Sequence, residues 1–125
     1  MHIVLGENNM HGTIPPSLSN CTLLKRMVLN ENKLSGPIPL EFGTKLAHLQ
    51  ELHLWGNNLI GNIPVSLTNC SQLRLLFLNE NWLTGIVPKE LGKLALLESL
   101  YLHGNQLVSA PTLPFLTALT NCSHL

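Results

Sequence analysis

Little of this 125-residue sequence is charged or aromatic: 11% is Asp, Glu, Lys or Arg, and 5% is Phe, Trp or Tyr. Seven basic and seven acidic residues cancel, so no net field exists to recruit nucleic acid or an anionic membrane. No run approaches the roughly 18 uncharged apolar residues of a membrane-spanning helix, and the segment is not expected to insert into a bilayer. The opening MHIVLGENNMHG has neither a basic start nor a sustained apolar stretch, so it does not read as a secretory leader. Cys21, Cys70 and Cys122 never fall in C-x-x-C spacing, which leaves a metal site without support. No G-x-S-x-G, H-E-x-x-H or P-loop occurs, and the scattered histidines read as solvated surface groups. The expectation is a protein that is not an enzyme and holds no cofactor and no metal.

What is abundant is leucine at fixed spacing. Leu73 to Pro88, LRLLFLNENWLTGIVP, follows L-x-x-L-x-L-x-x-N-x-L-x-G-x-(I/V)-P. The pattern recurs at Leu49–Pro64 and Leu24–Pro39, in part at Ile3–Pro15, and again from Leu97 without its tail. Its asparagines, Asn8, Asn32, Asn57, Asn81 and Asn105, are 24, 25, 24 and 24 residues apart. Self-similarity at this period implies a solenoid of four to five coils filling residues 1–125 as one array. The L-x-L core predicts a short strand whose alternate side chains, such as Leu76 and Leu78, point inward while Phe77 faces out. Stacked coils make these strands parallel neighbours. An asparagine ladder supplies donors and an acceptor to backbone groups left unpaired where the chain leaves the strand. Gly12, Gly36, Gly61 and Gly85 suit bends with positive φ, and Pro15, Pro39, Pro64 and Pro88 sit where no ladder donor is needed.

Between copies, Leu18, Cys21 and Leu24 recur every three residues, as do Leu67, Cys70 and Leu73, the spacing of a 3-10 or irregular segment packing inward. One extra residue in EFGTKLAHL accounts for the spacing of 25. The last segment, SAPTLPFLTALTNCSHL, is longer, and Phe115, Leu116, Leu119 and Cys122 have helical spacing. The cysteines are core positions two coils apart, at least about 10 Å, beyond the roughly 7 Å Cα reach of a disulfide. Buried free thiols are therefore expected. Each cysteine also lies within an N-x-(S/T) glycosylation sequon, and Asn20, Asn69 and Asn121 are the candidate glycosylation sites. These align with Lys45 and Lys93 in the other coils, so the position faces water. Both ends of the chain cut through the pattern without a polar cap, and the expectation is a piece of a longer solenoid.

The outward strand positions line up coil by coil. One column reads Val4, Val28, His53, Phe77 and Tyr101; the next reads Gly6, Asn30, Trp55, Asn79 and His103. Beyond it lie Glu7, Glu31, Gly56, Glu80 and Gly104. Three of the six aromatic residues fall here, the composition of an interface anchor. His53, Trp55, Phe77, Asn79, Tyr101 and His103 are thus the candidate ligand-binding residues. Cross-strand aromatic packing is the alternative account of the same column.

The L-x-G-x-I-P tails resemble the plant-specific class of leucine-rich repeats. The N-C-(S/T)-x-L junctions and the FLTALTNCSHL ending are similar to ectodomains of plant leucine-rich-repeat receptor-like kinases, particularly the group containing immune receptors for microbial peptides. The resemblance implies an α/β-type solenoid: a horseshoe or superhelix with a short parallel sheet on its concave face and 3-10 or irregular convex segments. It also implies part of an extracellular receptor region at the plasma membrane, recognising a peptide, glycan or protein ligand and a co-receptor in defence or development. The kinase of that family is not carried over, because no H-R-D or D-F-G occurs here. Two other functions use the same repeat: a secreted inhibitor of cell-wall-degrading enzymes resembling polygalacturonase inhibitors, and a truncated piece without independent activity.

Overall fold

The computed structural model describes residues 1–109. The expected long segment around Phe115 and the sequon at Asn121, with Cys122, lie outside the described residues. Each repeat copy contributes two short strands, not one. They run β1 (His2–Val4), β2 (His11–Thr13), β3 (Arg26–Val28), β4 (Lys33–Gly36) and β5 (Glu51–His53). Then follow β6 (Asn58–Gly61), β7 (Leu75–Phe77), β8 (Trp82–Ile86), β9 (Ser99–Tyr101) and β10 (Gln106–Val108).

The L-x-L strands form the expected parallel sheet in the order β1-β3-β5-β7-β9. Its central residues Ile3, Met27, Leu52, Leu76 and Leu100 pair across neighbouring strands. Met27, Leu52 and Leu76 have no exposed surface, as strand alternation requires of the inward side.

The L-x-G-x-(I/V)-P tail was expected to be a bend. It forms a second parallel sheet instead, in the order β10-β8-β6-β4-β2. Gly12, Gly36, Gly61 and Gly85 do adopt positive φ, between 74° and 86°, but they do so within or beside this sheet. Its register differs from that of the first sheet. Gly12 pairs with Leu34 and Gly61 with Leu83, so partners lie two residues short of the repeat period. Two residues of slip at about 3.3 Å each, across a strand spacing of about 4.8 Å, separate equivalent points by about 8 Å per coil. In the unslipped first sheet the separation is about 4.8 Å. The slip lies along the strands and so across the stack, which turns successive coils about the stack axis, while the first sheet, the face expected to be concave, stays in register.

Single helical turns complete the coils: 3-10 turns at Pro16–Asn20, Val65–Asn69 and Lys89–Lys93, and a short α-helix, α1, at Glu41–Lys45. The difference follows from the one extra residue. In the 3-10 coils Cys70 N–H donates to Leu67 O and Leu94 N–H to Leu91 O, whereas Leu46 N–H reaches back four residues to Phe42 O. Phe42, Leu46 and Leu49 thereby keep the inward positions, all fully buried.

The asparagine ladder joins the two sheets. Asn57 Oδ1 accepts from Leu34 N–H of the preceding coil at 3.1 Å, on the second-sheet side. Its Nδ2 donates to Leu29 O of that coil and to Leu54 O of its own, both at 3.0 Å, on the first-sheet side. Asn32, Asn81 and Asn105 repeat this geometry. Asn8 does not: it is exposed, and its amide donates only to Leu5 O and Gly6 O within its own coil. Cys70 is fully buried with its thiol 3.6 Å from Phe42 O, while Cys21 is only partly buried.

Candidate ligand-binding face

Because the concave strands pair without slip, the outward residues form true columns. Val28 stands beside His53, His53 beside Phe77 and Phe77 beside Tyr101. Their rings make a continuous run. His53 meets Phe77 edge-on with centroids 4.8 Å apart, and Phe77 stacks on Tyr101 at 4.5 Å with planes 12° apart. Tyr101 then tilts against His103 at 6.0 Å. Such pairs stabilise neighbouring strands by about 0.5–1.5 kcal/mol beyond area burial. The run is also open to solvent at one end: Phe77 is half-buried, Tyr101 is 49% exposed and the His103 side chain is 64% exposed.

Two expectations about this face need correction. His53 is not a solvated histidine. Its side chain is only 14% exposed, and its Nε2 lies 3.2 Å from Glu51 Oε2. Burial lowers the His53 pKa from its usual value, against the raising effect of the Glu51 carboxylate and with the help of Arg26. Glu51 also sits 2.9 Å from Arg26 Nε, a charge contact that lacks hydrogen-bond alignment. Asn79 is not a presented contact residue either. It is 8% exposed, and its Oδ1 is enclosed without a hydrogen-bond partner. Asn30, in the same column, is equally buried and lies across Gly6, where a Cβ would meet Asn30 Oδ1 at 2.6 Å. The amides of this column fill space between coils. Trp55, half-buried, and the exposed His103 are the members left for contact.

The neighbouring column holds a feature that alignment of the repeats did not reveal. Glu7, Glu31 and Glu80 have φ of 56°, 52° and 56°, in the left-handed region that Gly56 and Gly104 occupy in the other coils. An L-residue pays roughly 1–2 kcal/mol for that conformation. The signal was present in the sequence, since a position shared between Glu and Gly invites the question of positive φ. Glu80 reaches over the next coil, where a Cβ on Gly104 would stand 2.7 Å from its carboxyl carbon, and its Oε1 is 3.9 Å from His103 Nε2. The exposed end of the aromatic run is thus flanked by a carboxylate. Arg26 and Arg74 are already engaged, with Glu51 and Glu98 respectively.

Elsewhere, Ile60, Trp82, Ile86 and Val108 are each more than half exposed on the second sheet, a surface that sequence reasoning missed by treating this stretch as a turn. Asn20 and Asn69 are exposed on the convex side, as expected. Among the described residues, no group of three or more His, Cys, Asp or Glu could hold a metal ion. No helix there is long and apolar enough to cross a membrane.

A two-sheet parallel solenoid, tied by an asparagine ladder and bearing an aromatic column on its concave face, is a repeat-built recognition scaffold. The leucine rich repeat family model matches residues 47–107. No match was found among curated proteins. Among solved structures, the BIR3–SERK2 complex from Arabidopsis thaliana aligns with 39% identity and a TM-score of 0.81, covering 84% of this chain and 56% of that one. The BIR2 ectodomain from Arabidopsis thaliana aligns with 31% identity and a TM-score of 0.76, covering 86% of this chain and 69% of that one. The Arabidopsis receptor kinase HAESA, in complex with the peptide hormone IDA and the co-receptor SERK1, aligns with 39% identity and a TM-score of 0.86. Here 96% of this chain is covered but only 20% of HAESA. The chain belongs to the leucine-rich-repeat family, in the form found in plant receptor ectodomains.

Proposed function

We propose that the chain is a ligand-binding segment of a plant cell-surface receptor ectodomain, and that its concave face holds an extended peptide. The observation that carries this reading is Glu80, kept in a left-handed conformation at the open end of the Phe77–Tyr101–His103 run. Strain retained at a surface position where glycine would fit without cost points to a use for the side chain. The surface offers a carboxylate, a phenol and ring faces, with both nearby arginines occupied. A ligand that complements it brings donors and positive charge, such as an Arg or Lys side chain seated on the Tyr101 ring. HAESA, which shares this fold, was crystallised with a peptide and a co-receptor, and that precedent supports a peptide over a glycan. The location that follows is the extracellular side of the plasma membrane, within a longer parent.

Peptides selected from a random displayed library on the full chain test the proposal. Selection should enrich Arg or Lys beside an apolar residue. Tyr101→Ala and Trp55→Ala should then each weaken the selected peptide about fivefold or more, roughly 1 kcal/mol, Trp55→Ala with the melt nearly unchanged. Phe77→Ala should weaken it too, and both it and Tyr101→Ala should lose some stability from the broken stack. Glu80→Gly should lose binding without losing stability. Unchanged affinity in the Tyr101 and Trp55 variants would return the column to cross-strand packing alone.

A further inference from the structure

Resting on the extracellular location proposed above, we infer that Asn20 and Asn69 carry N-linked oligosaccharides, placed two coils apart on the convex side and clear of the concave columns. The two asparagines occupy one structural position, the last residue of the 3-10 turns Pro16–Asn20 and Val65–Asn69. Lys45 and Lys93 hold the equivalent place in the intervening coils, and all four side chains are exposed. Among the described residues the column therefore faces solvent in each of these four coils, with room for a bulky polar group.

Within each sequon the side chains divide cleanly. Asn69 and Ser71 are exposed while Cys70 between them is fully buried; Asn20 and Thr22 are exposed while Cys21 turns partly inward. The middle residue has φ −78°, ψ 67° at Cys21 and φ −76°, ψ 75° at Cys70, close to an inverse γ-turn. In the second case Ser71 N–H donates to Asn69 O at 2.9 Å, which closes that turn. The turn sets Asn and hydroxyl to the outside and turns the thiol inward, fully into the core at Cys70, where it is no partner for a competing disulfide, and partly at Cys21. At Asn20, Lys45 Nζ donates to Oδ1 at 3.3 Å. That leaves Nδ2, the atom that would bear the sugar, without a protein partner.

The modification is a group transfer from a lipid-diphosphate-linked oligosaccharide in the secretory route. Asn Nδ2 forms the bond to the anomeric carbon, the bond from that carbon to the phosphate oxygen breaks, the lipid diphosphate leaves, and one Nδ2 proton is lost. Because the sites lie about 10 Å or more apart, both oligosaccharides fit at once, with a lysine between them.

The test is the full chain expressed behind a secretion leader, purified from the medium, shown to melt cooperatively, and released from its glycans by amidase in heavy-oxygen water. Mass spectrometry should find heavy aspartate at positions 20 and 69. Thr22→Ala should abolish the label at Asn20 alone and Ser71→Ala that at Asn69 alone. Cys70→Ala, which keeps the sequon, should leave the label at Asn69. Unlabelled Asn20 or Asn69 in secreted, folded chain would overturn the inference, whatever the outcome for peptide binding.

Discussion

Replacing Asn57 with alanine removes one acceptor and two donors from the centre of the stack. The damage can be worked out partner by partner. Leu29 O also accepts from Asn32 Nδ2, Leu54 O also accepts from Asn81 Nδ2, and Trp55 O also accepts from Glu31 N–H. Each of those carbonyls keeps a partner. Leu34 N–H does not, because its acceptor is Asn57 Oδ1. One buried orphan donor costs about 1–3 kcal/mol, and each lost net hydrogen bond about 0.5–1.5 kcal/mol. The expected loss is about 3 kcal/mol, which lowers the melting temperature of a domain this size by roughly 10 °C. Asn8→Ala is the control. Asn8 serves only carbonyls of its own exposed coil, so its loss should cost under about 1 kcal/mol. Asn57→Asp sharpens the comparison: it keeps the acceptor for Leu34 N–H but sets a carboxylate against carbonyls. Burial raises its folded pKa above the unfolded value of about 3.9. Its stability is then best below that pH and falls as pH rises through the folded pKa. Thermal and guanidinium unfolding read all three variants. Equal losses at Asn8 and Asn57 would refute the ladder as an inter-coil device and leave only a local turn preference.

Gly43→Ala should destabilise by about 1–3 kcal/mol through overpacking, because a Cβ there would stand 2.0 Å from Ser66 O of the next coil. Gly12→Ala, with nothing within 4 Å but φ of 86°, should cost only the left-handed penalty, about 1–2 kcal/mol; denaturant midpoints measure both losses. For His53, the folded pKa lies below the unfolded 6.5, so the unfolded chain binds the extra proton first as pH falls. The stability contribution is thus present above pH 6.5 and lost as pH drops through the folded pKa, and His53→Gln should flatten the melting temperature between pH 7.5 and 5, about the span of histidine titration.

The sequence was legible where every coil imposes the same demand. An inward leucine meets another inward leucine one period away, and a ladder asparagine meets the same backbone groups each time, so a single copy predicts all. It was not legible where the environment of a residue is set by whatever stands one coil away. Asn79 and Asn30 look alike on paper to any surface amide, yet both are buried by their column neighbours. His53 is enclosed because Phe77 and Glu51 flank it. The second sheet escaped notice because its slip of two residues per coil leaves no mark on a pattern read in register.

That contrast also says where specificity can reside. In the concave sheet the inward column reads Ile3, Met27, Leu52, Leu76 and Leu100, a set held to aliphatic side chains of similar volume by a closely packed core. The outward column beside it runs from Val4 and Val28 through His53 and Phe77 to Tyr101, changing size, polarity and hydrogen-bonding capacity from one coil to the next. Five coils at about 4.8 Å present that change over roughly 20 Å, about six residues of an extended peptide. Side-chain chemistry in this column therefore grades along the face, from aliphatic at the first coils to aromatic near Tyr101 and His103, while carboxylates flank it at both ends, Glu7 and Glu31 at one and Glu80 at the other. A ligand lying across the strands meets these in a fixed order, so reversing its sequence should abolish binding even though its composition is unchanged.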